Sequence, residues 1–122
     1  MASNSASKFV KVPTFSGLRT KNLATEAPDI SILVPVMNEA GNIRPLIDEI
    51  CLVFAGRHFE IIYIDDASDD ATAEELMVAL GDVPQLRVLR HNKRAGQSAA
   101  IRSGLLQSNG TLIGVLDGDG QN

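Results

Sequence analysis

Tryptophan is absent from the 122-residue sequence, and tyrosine occurs once. That leaves few platforms on which bases could stack. The 11 Lys and Arg are outnumbered by 15 Asp and Glu. Neutralising nucleic-acid phosphates needs clustered cations, so no nucleic-acid partner is expected. A single cysteine, Cys51, excludes an intramolecular disulfide and fits a reducing compartment. Its place beside an apolar helical stripe gives it a quiet packing role. Two isolated histidines, His58 and His91, do not make a zinc site. No apolar run approaches the roughly 20 residues of a spanning helix. The first 28 residues also lack the continuous apolar stretch of a signal peptide. The chain therefore reads as soluble and cytoplasmic, and its length suits one small domain rather than two.

What is present divides into two parts. Residues 1–28, rich in Ser, Ala, Thr and Lys, read as a flexible arm ending at Pro28. Its Lys8, Lys11, Arg19 and Lys21 suit contact with an anionic membrane surface. Residues 29–122 carry the folded part, beginning with an almost continuous apolar run, Ile30–Val36, as expected of a strand covered on both faces. Asn42 stands as an N-cap before a helix that tolerates Pro45 in its first turn. In that helix Ile43, Leu46, Ile47, Ile50, Val53 and Phe54 form one stripe, and Gly56 suits the end. Glu60–Ile64 reads as a second strand and Ala71–Leu80 as a helix stopped by Gly81. Leu86–Leu89 reads as a third strand, and Ala95–Gln107 as a helix with Ile101 and Leu105 inward. Asn109-Gly110 turns the chain into a fourth strand, Thr111–Leu116. This alternation implies an α/β fold, a Rossmann-like parallel sheet with flanking helices and right-handed crossovers.

In such sheets ligands bind beyond the carboxyl ends of the strands. Strand one ends at Pro35-Val36-Met37-Asn38-Glu39, strand two at Asp65-Asp66-Ala67-Ser68-Asp69-Asp70, and strand four at Asp117-Gly118-Asp119-Gly120-Gln121. Three polar segments should therefore meet in one crevice. Residues two apart in an extended segment point the same way, so Asp117 and Asp119 can address one cation, while Gly118 and Gly120 admit a bulky ligand. Carboxylate oxygens suit Mg²⁺ or Mn²⁺, and Gln121 offers a further oxygen. Mg²⁺ takes only one or two protein carboxylates and completes its shell with phosphate and water, so a diphosphate is implied along with the metal. A solvated acidic turn would explain the same residues. Asp69 or Asp70 is accounted for by capping or turn formation. Asp66 precedes any cap and can accept from a base N–H or a ribose hydroxyl, and Glu39 can bind ribose or cap the next helix. Arg94, near the start of the third helix, can meet a diphosphate with the help of free helix N–H groups, or stand as a surface arginine.

Four segments in this order resemble the family 2 glycosyltransferases: Val34-Pro35-Val36-Met37-Asn38-Glu39, Ile64 to Thr72, Gly96-Gln97-Ser98-Ala99-Ala100, and Leu116 to Asn122. The resemblance runs from Ser31 to Asn122 and is greatest to bacterial enzymes similar to dolichol-phosphate mannosyltransferase, which move a sugar onto a polyprenyl phosphate. It implies the nucleotide-binding half of a GT-A fold and a nucleotide-sugar-binding set of Pro35, Val36, Asn38, Glu39, Asp65, Asp66, Arg94, Asp117, Gly118 and Asp119. Asp117 and Asp119 match the DxD motif that holds metal and donor diphosphate, with Gln121 as auxiliary ligand. Arg94 stands where relatives often carry Asn. Ala67 stands where Gly is frequent, a change that is harmless unless φ is positive.

The implied reaction is an inverting displacement that transfers a sugar from a GDP- or UDP-linked donor to a polyprenyl or dolichyl phosphate, at the inner face of a membrane. The family's general base and acceptor-binding elements lie well beyond the DxD motif, so no catalytic base is expected among these residues, and the chain reads as truncated. An unpaired fourth strand would then favour self-association. A fragment that binds nucleotide, or serves as a subunit contact, without turnover is the alternative. A two-component receiver domain also carries an acidic pair at a strand end, but on its first strand, and it needs a Lys on a later strand than any here.

Overall fold

The computed structural model describes residues 27–118. The arm read over 1–28 lies outside them except for Ala27 and Pro28, as do Asp119 and Gln121. Seven elements alternate: β1 (Ile30–Val36), α1 (Ile43–Val53), β2 (Phe59–Asp65), α2 (Thr72–Asp82), β3 (Leu86–Arg90), α3 (Gln97–Gln107) and β4 (Leu112–Val115). All pairings are parallel, in the order β3-β2-β1-β4. The α/β expectation is met. This order belongs to doubly wound dinucleotide folds and not to receivers, whose order is 2-1-3-4-5.

Strand parity assigns the two faces. Ile32, Val34, Val36, Ile61, Tyr63 and Val88 point to one side and pack with Ile43, Ile47 and Ile50 of α1 and Leu76 and Ala79 of α2. Leu33, Ile62, Ile64 and Leu89 point to the other side and pack with Ala100 of α3. Here the helix comes very close, since a Cβ on Gly104 would lie 2.9 Å from Ile64 Cδ1. The chain winds outward over one face through β1, β2 and β3. It then crosses the other face with α3 and returns beside β1 as β4. The direction of winding reverses between β1 and β4, which is the switch point where such sheets take ligands.

Pro35 helps to open that point. Leu116 N–H donates to the Leu33 carbonyl at 2.9 Å, closing a β1–β4 ladder whose last pair is Leu33↔Val115. The next β1 residue facing β4 is Pro35, which has no N–H to continue the ladder. The opposite end of the same sheet is closed by buried polar groups. Ser31 Oγ donates to Glu60, which also accepts Asn109 N–H at 2.7 Å and Arg87 at 2.8 Å. Gly110 N–H donates to Ser31 Oγ at 2.8 Å. A Cβ on Gly110 would lie 2.6 Å from Ser31 N, so the turn requires glycine.

Several boundaries differ from the sequence reading. The second helix runs through Gly81 and stops at Val83, which is extended (φ −117°, ψ 101°) because Pro84 follows. The third begins at Gln97 instead of Ala95, because Gly96 sits at φ 97°, outside the helical region, while the Ala95 and Gly96 N–H groups meet Asp66. Val53, placed in the apolar stripe, is 67% exposed, and Leu105, placed inward, is 46% exposed; Ala100 and Gly104 form the buried face of α3 instead. Asn42 does occupy the N-cap of α1, but its side chain makes no cap bond and donates to Glu39 Oε1 at 3.2 Å. Cys51 packs against the core, where burial pushes its thiol pKa up, as suits an inert thiol. No helix among the described residues is long and apolar enough to cross a membrane.

Candidate functional site

Two acidic residues close β2 and act in opposite directions. Asp65, 1% exposed, accepts Arg90 at 2.7 Å and Ser68 N–H at 3.0 Å. It ties the β2 exit to the end of β3. Asp66 turns to the other face, where its Oδ1 accepts Ala95 N–H and His91 Nδ1, each at 2.8 Å, and its Oδ2 accepts Gly96 N–H at 2.9 Å. Burial opposes its ionisation most strongly, but His91 and the two backbone donors together outweigh it and hold the carboxyl below its ordinary range. Beyond Asp66, Ala67 takes φ 60°, so the Gly-to-Ala departure does fall on a positive φ.

The loop after β1 is laced onto the loop after β2. Asn38, itself at φ 57°, donates its N–H to Ser68 Oγ at 2.8 Å and accepts Asp69 N–H at 2.9 Å. Glu39 N–H reaches Thr72 Oγ1 at 2.9 Å, and Gly41 N–H reaches Glu75 at 2.9 Å. Asp70 accepts Thr72 N–H at 2.8 Å in a turn at the start of α2, the job foreseen for Asp69 or Asp70. These bonds fix the height at which Glu39 stands above the sheet.

Above the switch point lies a cavity of about 340 Å³ lined by Pro35, Val36, Met37, Glu39, Asp66, Gly96, Gln97, Ala100 and Asp117. Of the residues singled out from sequence, Pro35, Val36, Glu39, Asp66 and Asp117 thus share one cavity. Asn38, Asp65 and Arg94 are not in its lining: the first two brace loops, and Arg94 pairs with Asp69 at 3.1 Å. Gly118 is buried behind Asp117, where an added Cβ would come within 2.5 Å of Val36 Cγ1 and 3.1 Å of the Pro35 carbonyl oxygen. This close approach holds Asp117 at the cavity rim. Asp119 and Gln121 fall outside the described residues, among which no group of three or more His, Cys, Asp or Glu could hold a metal.

The sequence reading gave no site role to Met37, Gly96, Gln97 or Ala100, which line the cavity, and it missed the contact of His91 with Asp66. His91 directly follows β3, whose Arg90 pairs in register with Asp65. The strand-end rule applied to the third strand would have brought it beside Asp66.

Comparison with known proteins places the chain. Residues 31–122 match the model of glycosyl transferase family 2. The chain is 31% identical over 112 residues to a dodecaprenyl-phosphate galacturonate synthase of Rhizobium johnstonii, covering 89% of this chain and 33% of that protein. It is 38% identical over 96 residues to an undecaprenyl-phosphate 4-deoxy-4-formamido-L-arabinose transferase of Pseudomonas aeruginosa, covering 76% and 28%. Among solved structures, the mannosyltransferase PcManGT of Pyrobaculum calidifontis, in complex with GDP-Man and Mn²⁺, superposes with TM-score 0.68 at 23% identity, covering 93% of this chain and 33% of that one. The fold is that of GT-A glycosyltransferases, and the chain spans a third or less of the length of these three proteins. The family match over most of the chain and the strand order agree, and the chain belongs to glycosyl transferase family 2.

Proposed function

We propose that this chain forms the donor side of a metal-dependent glycosyltransferase that moves a sugar from a GDP- or UDP-linked donor to a polyprenyl phosphate at the cytoplasmic face of a membrane. The observation that carries the reading is the meeting of Glu39, Asp66 and Asp117 around one cavity at the switch point. Glu39 and Asp66 offer acceptors to ribose hydroxyls or base N–H groups, and apolar Pro35, Val36 and Ala100 flank the nucleoside. The polyprenyl-phosphate sugar transferases among the relatives support the acceptor class, while their differing sugars leave the donor sugar open.

The residues suit Mg²⁺ or Mn²⁺. Asp117 presents a hard oxygen donor at the rim, on a backbone pressed so close to β1 that only glycine follows it. Asp117 would hold the cation together with Asp119 and Gln121, the shell being completed by diphosphate and water. Bound there, the cation supplies Lewis-acid neutralisation of the departing nucleoside diphosphate. The chain's own part is to orient the donor beforehand, so that little reorganisation remains at the moment of transfer.

The 122-residue chain by itself is expected to bind donor without transferring sugar, since its relatives are about three times longer. Leu112, Ile113 and Val115 on edge strand β4 are exposed, which supports self-association of the isolated chain, to be read by light scattering. Calorimetric titration with UDP and GDP, with and without Mn²⁺, tests the site. Metal-dependent binding that is lost in Asp117→Asn is the expected result. A folded chain that binds neither nucleotide refutes the reading.

A further inference from the structure

His91 lies outside the cavity lining, yet it is bound on both ring nitrogens. Nδ1 is 2.8 Å from Asp66 Oδ1, and Nε2 is 2.8 Å from Ser103 Oγ, one turn below the buried Ala100 of α3. An ionised carboxylate can only accept, so Nδ1 carries the proton and, in the neutral ring, Nε2 accepts the Ser103 hydroxyl. Ser103 and His91 thereby hang from α3, a rigid element packed on Leu33 and Ile64. The chain Asp66–His91–Ser103 has the composition of a hydrolytic triad. However, neither Ser103 nor His91 reaches the cavity, so no substrate carbonyl can meet that hydroxyl.

Counting lone pairs shows what the arrangement does to Asp66. Oδ1 uses both acceptor positions, on Ala95 N–H and His91. Oδ2 uses one, on Gly96 N–H, and keeps one. Asp66 lines the cavity, so that remaining position on Oδ2 is what it offers to a ligand. Without His91, Oδ1 would regain an acceptor position and the carboxylate could rotate about χ2, a broad torsion for Asp. The backbone donors alone hold it less firmly, because Ala95 and Gly96 are exposed and belong to a loop with no regular structure, whereas His91 is tied to α3 through Ser103.

We propose that His91, anchored by Ser103, is a positioning residue: it fixes the orientation of the Asp66 carboxylate and so sets nucleoside affinity without touching the ligand. This rests on the nucleotide reading given above. The same hydrogen bond predicts a split between ligands. Nucleoside recognition depends on His91, whereas diphosphate and metal, held at the Asp117 end, do not.

The test is calorimetry on the 122-residue chain in Mg²⁺ with UDP, GDP and inorganic pyrophosphate, comparing the parent with His91→Ala, His91→Asn and Ser103→Ala. Asn places an amide donor near the former Nδ1. His91→Ala is expected to weaken nucleotide binding about fivefold to tenfold, to leave pyrophosphate within about twofold, and to be rescued in His91→Asn. Ser103→Ala, which removes one oxygen, is expected to cost about threefold. Unchanged nucleotide affinity in folded His91→Ala overturns the proposal, as does a parallel loss of pyrophosphate or the absence of rescue. Should His91→Ala fail to fold, Ser103→Ala decides, and no loss there overturns it. A parent that is folded but binds neither nucleotide sinks the nucleotide reading itself and this inference with it. A parent that binds normally beside an indifferent His91→Ala sinks the inference alone.

Discussion

Replacing Ala67 by glycine should make this protein more stable, against the usual effect of putting glycine into an ordered segment. Ala67 sits at φ 60°, in the left-handed region. There an L side chain brings Cβ too close to the following carbonyl oxygen, at a cost of roughly 1–2 kcal/mol. The conformation is imposed from both sides. Asp65 binds Ser68 N–H ahead of it, and Ser68 Oγ is held by Asn38 N–H. Ala67→Gly removes the strain but adds freedom to the unfolded chain, worth about 0.4–1 kcal/mol in the other direction. The net expectation is a gain of about 0.5–1 kcal/mol, or some 2–8 °C in Tm for a domain of this size. Urea denaturation followed by circular dichroism reads it as a higher midpoint at constant slope. A glycine variant that unfolds at lower urea with the same slope would show that the backbone here is not strained, and the argument would fail. Ala67→Val is the opposing control, since a β-branched side chain at this φ should lose more than the alanine does.

Four further outcomes follow from named contacts. Glu60→Ala removes the acceptor shared by Ser31, Arg87 and Asn109 and leaves the part-buried Arg87 guanidinium with only the Gln107 carbonyl, so a loss of about 3 kcal/mol is expected in thermal or chemical melts. Asp65→Ala breaks the pair with Arg90 and should cost about 3 kcal/mol, detected in the same melts, because Asp65 is almost wholly enclosed. Tyr63→Phe should be neutral or stabilise by up to about 1 kcal/mol: among the described residues the buried Tyr63 hydroxyl has no hydrogen-bond partner, and burial pushes its pKa up. The carboxyls of Asp66 and Asp70 are held below their ordinary value of 3.8, so their contribution to stability is complete above that pH and is lost as pH falls through their lower folded values. Melts between pH 7 and 2 should therefore be flat down to about pH 5 and fall below about pH 4, and a fall that begins near neutrality would contradict this.

The sheet was legible because its strands are continuous apolar runs and its helices carry a clear stripe, both consequences of burial on one or two faces. Helix ends were less legible because they are decided by tertiary partners. Ala95 is a good helix former, and only the left-handed turn at Gly96, made as both N–H groups meet the Asp66 carboxylate some thirty residues earlier, keeps it out of α3. The end of α2 was readable in principle from Pro84, but Gly81 gave a competing local signal that helix packing overrides. Leu105 illustrates a different failure. Its helical spacing marks it as apolar-facing, and the described residues provide nothing to cover it. At the candidate site, acidic residues at strand ends pointed to the crevice. Their division of labour was not readable, because a string such as Asp65-Asp66 does not say which carboxylate is braced and which faces the cavity.

That division follows from strand parity carried one residue past the end of β2. Ile61, Tyr63 and Asp65 share the face of α1 and α2, and Arg90 of β3 lies on that same face in register with Asp65, so this carboxylate meets its cation inside the fold. Ile62 and Ile64 share the face of α3, and Asp66 continues their direction, kept in line by its N–H bond to the Val36 carbonyl at 2.9 Å. On that face the chain enters α3 after a glycine at φ 97°, where the N–H groups of Ala95 and Gly96 point to the Asp66 carboxylate. Adjacent carboxylates thus reach chemically different surroundings without any special design of either side chain. A one-residue shift of β2 would exchange them, burying Asp66 against Arg90 and leaving Asp65 at the cavity. The seven-pair register between β1 and β2 prevents that shift, because it would also turn Ile61 and Tyr63 out of the core they fill.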